Sequence, residues 1–142
     1  MGKMMKILIF SVLLLGAAGA GAFFFLGQNA EGSSDKEKQP TAEELAAMSI
    51  DTDVITTNLA SPNFGVVQFN ILLDSEKTKE EAEKRTPEVR AAIISTVAGF
   101  TKEELVGADG IATLEEQLKA KLADIMQTGK VERVLVTEFK VQ

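Results

Sequence analysis

Residues 7–26 form an apolar run without one charge, rich in Ile, Leu, Val, Phe, Ala and Gly, with Ser11 its single polar residue. As a helix rising 1.5 Å per residue, these 20 residues span roughly 30 Å, the thickness of a bilayer's hydrocarbon core. Lipid offers backbone groups no hydrogen-bond partner, so a single span must be helical. Lys3 and Lys6 precede the run, while Gln28, Asn29 and Glu31 follow it. The positive-inside rule then places residues 1–6 in the cytoplasm and everything after residue 26 across the membrane.

A cleaved secretory signal is the competing reading. Residues 1–6 would be its basic region and residues 7–15 its apolar region, with small-residue triplets at Ala18-Gly19-Ala20 and Ala20-Gly21-Ala22. Phe23-Phe24-Phe25-Leu26 carries the apolar run beyond those triplets, which favours an uncut anchor. Both readings deliver the remaining chain to the same side. Within the run, Gly16/Ala20 and Ala17/Gly21 are spaced i, i+4, a small-residue face on which a second helix can pack.

About 115 residues remain, enough for a linker and one small domain. The chain has no Cys, so a disulfide framework, a thiol nucleophile and a thiolate metal site are excluded. It has no His, the usual general base at neutral pH and the commonest metal ligand. Trp and Tyr are also missing, which disfavours base-stacking nucleic-acid sites. Thirteen of the 15 basic residues and all 21 acidic ones follow the apolar run, a balance of −8. Such a region is repelled by phosphate backbones and anionic headgroups, so no nucleic-acid partner is expected.

Residues 27–50 read as a polar linker, GQNAEGSSDKEKQP, leading into a short candidate helix. Thr41 and Glu44 have capping-box spacing there, and Leu45 and Met48 can share a face. Residues 51–142 carry the domain. A strand is expected over 51–59, a turn at Ala60-Ser61-Pro62-Asn63, and a second strand over 65–73. In that second strand Val67, Phe69, Ile71 and Leu73 make one face wholly apolar, and the two strands can pair as a hairpin. Residues 77–99 read as helix, starting at a Thr78/Glu81 capping box and either kinked or divided at Thr86-Pro87. Its first half has almost no apolar stripe and reads as a solvated arm; Val89, Ile93, Val97 and Phe100 line the second. A short helix over 102–106, capped by Thr101/Glu104 and ended by Gly107, is expected next. An amphipathic helix over 111–127 follows, with Asp109 or Thr113 at its start and Gly129 at positive φ past its end. Residues 131–141 close the chain as a strand. The order β-β-α-α-α-β predicts an α+β domain.

No constellation in this sequence carries chemistry. Glu80-Glu81 and Glu103-Glu104 sit where first-turn carboxylates favour a helix dipole, and Glu115/Lys119 is a favourable i, i+4 pair on a solvated face. Asp51-x-Asp53 has neither the Gly nor the closing Glu of a calcium loop. Gly107-x-x-Gly110 has no Lys-Ser/Thr after it and is no phosphate loop. No catalytic, cofactor-binding or metal-binding residue is therefore expected.

The ordered set of segments resembles the flagellar basal body-associated FliL family. NLASPNFGVVQFNILLD is similar to the family's Asn-Leu, short turn and long strand; KRTPEVRAAIISTVAGFTKEELVGADGIATLEEQLKAKL is similar to its central helices. GKVERVLVTEFKVQ resembles its terminal strand, with Phe-x-x-Gln at Phe139–Gln142. The resemblance implies a non-enzymatic, single-pass inner-membrane protein at the flagellar basal body that supports motility and swarming. Its periplasmic domain would be similar to stomatin-type (SPFH) domains and would assemble as a ring around the torque-generating stator. The partners so implied are further copies of the chain, stator proteins and the basal body. The candidate surfaces are the Gly16, Ala17, Ala20 and Gly21 face of the span, Leu45 and Met48, and the edge of the last strand at Val136, Glu138 and Lys140. An anchored or secreted periplasmic sensor that binds a ligand is the alternative from a different class.

Overall fold

The computed structural model describes residues 38–142, so the apolar run, the Gly16, Ala17, Ala20 and Gly21 face and most of the linker lie outside the described residues. Pro40–Gln142 forms one compact α+β unit. Its elements are α1 (Ala42–Ala47), β1 (Ser49–Asp51), β2 (Ile55–Asn58), β3 (Phe64–Leu73), α2 (Glu76–Lys84), α3 (Thr86–Val97), α4 (Gly107–Ile125) and β4 (Val131–Val141).

β3 is the spine of an antiparallel sheet. Along one side it pairs with β4 over nearly its full length, from Gly65↔Val141 to Leu73↔Val131. The other side is shared by two short strands, β2 against Phe64–Val67 and β1 against Asn70–Leu72. The expected hairpin is present, with a break in its first strand. Thr52 and Ile55 lie opposite Phe69 and Val67, so Asp53 and Val54 stand against Gln68 alone. Thr52 holds the break closed. Its N–H donates to the Phe69 carbonyl (2.9 Å), and its Oγ1 accepts the Phe69 N–H (3.0 Å).

The alternation read in β3 places Val67, Phe69, Ile71 and Leu73 at no more than 2% exposure on the helix-covered face. β4 has no such simple period. Thr137 and Glu132 find no partner in the register and bulge out. Each bulge shifts the phase by one, so the core-facing residues are Val131, Val134, Val136, Phe139 and Val141. Helices α2, α3 and α4 cover this face, with α4 over β4 and α3 over β2. The expected stripe Val89, Ile93, Val97 and Phe100 is buried, as is the i, i+4 ladder Leu114, Leu118, Leu122 and Met126.

Several local expectations are corrected. Of the two readings of 77–99 the divided one holds, with two helices meeting at Arg85 and Pro87 in the first turn of α3, where its missing N–H costs nothing. Ser75 caps α2; Thr78, expected as the cap, is instead fully buried three residues later. Residues 102–105 make a turn, although the Thr101/Glu104 reciprocal bonds do form. The reason lies in the two glycines that follow. Gly107 takes φ 83°, reversing the chain straight into α4 without a side-chain cap. A Cβ on Gly110 would collide with the Glu104 carbonyl and lie 3.0 Å from Leu105 Cα, so α4 packs flush on the turn. The Thr41/Glu44 capping box of α1 forms as expected.

Candidate functional site

Among the described residues the fold presents two sheet edges and a groove. No group of His, Cys, Asp and Glu among the described residues could hold a metal ion. Helices α2, α3 and α4 stand beside the two edges of the sheet.

The β4 edge is occupied from within. Val136 faces Phe69, and its N–H turns outward to Glu115 Oε1 (2.8 Å) on α4. The carbonyl of bulged Glu132 accepts from Lys119 Nζ (2.8 Å), one turn further along the same helix. Glu115 and Lys119 were expected to pair with each other on a solvated face. They reach down instead and occupy an edge donor and an edge acceptor of β4. Val136 itself is half-buried and packs on the core. Glu138 and Lys140 project from the opposite, open face of the sheet and form an ion pair at 3.1 Å.

The start of β4 is fastened by α2. Glu81 accepts the Gln127 N–H (3.0 Å), the Thr128 N–H (2.8 Å) and the Thr128 hydroxyl (2.6 Å), and Arg85 Nε donates to it at 2.8 Å. These bonds, the Thr128 hydroxyl foremost, hold the Glu81 carboxyl down at about 2. Glu81 and Glu88 in turn hold the Arg85 guanidinium above its ordinary value. Alongside, Thr78 Oγ1 donates to Asp74 (2.7 Å), which lowers the Asp74 carboxyl, and the Asp74 N–H donates to the Lys130 carbonyl. Gly129 lies against this pair. A Cβ there would collide with Thr78 Oγ1 and the Asp74 carboxylate, and its φ is not positive. Gly129 is thus required for close approach, a correction to its expected role as a left-handed cap. Likewise α2 is no solvated arm. Its contact face is Thr78, Glu81 and Ala82, polar and small residues that leave no apolar stripe in a sequence.

The opposite edge lacks such plugs. Leu73 donates to the Met48 carbonyl and Thr52 to the Phe69 carbonyl, so ladder bonds fall at residues 48, 50 and 52. The N–H and C=O of Asp51 therefore point away from β3. Beyond them lies a groove of about 380 Å³ between β1–β2 and the helices α2 and α3. Ile50, Ile55, Ala82, Val89 and Ile93 line its apolar part. Asp51 and Asp53 stand on the strand side; Lys79, Glu83 and Arg90 stand on the helix side. α1, with half-buried Leu45 and Met48, packs next to β1.

The flagellar basal body-associated protein FliL family model matches residues 49–142, which spans β1 to the end of β4. The chain belongs to the FliL family. It is similar to the flagellar protein FliL of Bacillus subtilis (strain 168), with 40% identity over 127 residues covering 89% of each chain. A second FliL-family relative, the flagellar protein FliL of Aquifex aeolicus (strain VF5), is 28% identical over 88 residues, 60% of this chain and 55% of that protein. The family segment starts at β1, so both sheet edges and the groove fall within it, while α1 lies before it.

Proposed function

We propose that this chain is a non-enzymatic accessory of the flagellar motor, held in the inner membrane by residues 7–26 with its α+β domain in the periplasm. Membership of the FliL family carries this reading, since the matched segment spans the sheet and its three covering helices. The uncharged run with Lys3 and Lys6 before it supports the topology. Among the described residues no helix is long and apolar enough to cross a membrane.

In this reading the domain self-associates around a stator unit. Gly16, Ala17, Ala20 and Gly21 pack spans together; Leu45 and Met48 of α1, and Glu138 and Lys140 of β4, provide contacts outside the membrane, while Val136, expected among them, is turned to the core. The Glu115 bond to the Val136 N–H favours side-chain packing across the open sheet face over strand-to-strand continuation there. A collar that binds the engaged stator more tightly than the idle one shifts the population toward engagement, by no more than that difference in binding energy. A similarity to stomatin-type domains belongs to the same proposal.

The test is deletion of residues 49–142 from the chromosomal copy, with a fluorescent stator subunit and swimming speed in viscous medium as readouts. Weaker stator foci at the basal body and slower swimming under load are expected, with the truncated anchor still in the membrane. Unchanged foci and speed would overturn the assignment.

A further inference from the structure

We propose that the groove between the β1–β2 edge and helices α2–α3 receives an extended, basic segment of another polypeptide as an added strand. Three observations converge on this. First, the Asp51 N–H and C=O face outward from an edge strand, and main-chain groups in that position pair with an incoming strand. Second, the helix wall stands off the edge and leaves a groove of about 380 Å³ with Ala82, Val89 and Ile93 at its base. A strand laid along β1 directs alternate side chains to that base and to the open face of the sheet. Val89 and Ile93 lie one helical turn apart and are themselves nearly buried, so the floor of the groove is apolar but shallow. Third, the charge is complementary to a basic occupant. Asp51 and Asp53 line the strand side of the groove, where an added strand would lie, and Glu83 stands across from them; the Asp51 carboxylate also accepts from Asn70 Nδ2 (2.8 Å). Lys79 and Arg90, which form no ion pair among the described residues, stand on the helix side of the groove, across from Asp51 and Asp53.

A second copy of this chain is a poor donor of that strand. Its β4 edge already has the Val136 N–H and the Glu132 carbonyl bonded to Glu115 and Lys119. That excludes β4 of a second copy as the added strand, and the occupant proposed is a segment of another protein.

The full chain in detergent, labelled for amide NMR, tests it with the blocked peptide Lys-Val-Lys-Val-Lys and its N-methylated counterpart, which cannot pair as a strand. Saturable shifts confined to residues 49–55 and the facing turns of α2 and α3 are expected, with affinity falling about tenfold or more on N-methylation. Asp51→Pro should abolish binding while leaving the β1–β3 ladder, because proline is tolerated where an edge N–H faces outward. Asp53→Lys, exposed and outside the ladder, provides a second variant and should weaken the lysine peptide severalfold without changing the fold. No saturable change at residues 49–55 up to millimolar peptide would overturn the proposal. So would equal binding of the N-methylated peptide, which would make the groove a side-chain pocket. Shifts at Asp51 on concentrating the protein alone would replace the foreign segment by a second copy.

Discussion

The two edges of this sheet receive opposite treatment. On the β4 side, an 11-residue strand is broken by two bulges, plugged by Glu115 and Lys119, and anchored at its start by Glu81. On the β1–β2 side, two strands of three and four residues meet at a break held by Thr52, and a groove runs beside them. A long flat edge invites uncontrolled pairing, so the fold blunts its long edge with its own helix and keeps the other short. The difference separates the part of the sheet committed to internal stability from the part left for recognition.

Phe69 is common ground for both edges, since it pairs with Val136 and exchanges bonds with Thr52. It is fully buried, and Phe69→Ala should cost about 3–5 kcal/mol in denaturant unfolding and loosen both edges together. If only one edge loosened, the two would not share a spine. Gly129→Ala strikes the β4 side alone, by driving a methyl group into Thr78 and Asp74. A loss of roughly 1–3 kcal/mol is expected, with faster amide exchange at the start of β4 and little change at β1. Glu115→Ala leaves the half-buried Val136 N–H without its acceptor. It should cost about 1 kcal/mol and, by opening the long edge, raise self-association in light scattering.

The most gradual effect is the pH dependence of the Glu81 clamp. Its carboxyl lies at about 2 in the folded protein, below its ordinary value of 4.5, so the ionised form is favoured by folding. That contribution is complete above pH 4.5 and fades as pH falls toward 2. Asp74 is shifted in the same direction. Thermal midpoints followed from pH 7 to pH 2 should therefore fall across the acid range, and Glu81→Gln should flatten that fall. An unchanged slope in the variant would remove Glu81 from the account.

What could be read from the sequence follows from where apolar period survives. β3 alternates cleanly, and α3 and α4 carry stripes, so each was legible. β4 was legible as a strand from its β-branched composition, but its inward set was not, because two bulges impose a 3-2-3-2 spacing. The docking of α2 was hidden because it rests on Thr78, Ala82 and a carboxylate accepting backbone N–H groups. Glu115 and Lys119 had the spacing of an ordinary surface pair; only the proximity of α4 to β4 gives them their backbone partners. The residues proposed as contacts divide similarly. Glu138 and Lys140 face the open sheet, while Val136 was drawn into the core by the Thr137 bulge.

Amide hydrogen exchange of the full chain at Asp51 and Val136 tests the contrast between the edges most directly. Both N–H groups point away from β3, so a simple sheet would treat them alike. Protection of Val136 comparable to the β3–β4 ladder, with Asp51 exchanging orders of magnitude faster, is the result this account predicts. Equal exchange at the two positions, or a protected Asp51 beside a fast Val136, would contradict it.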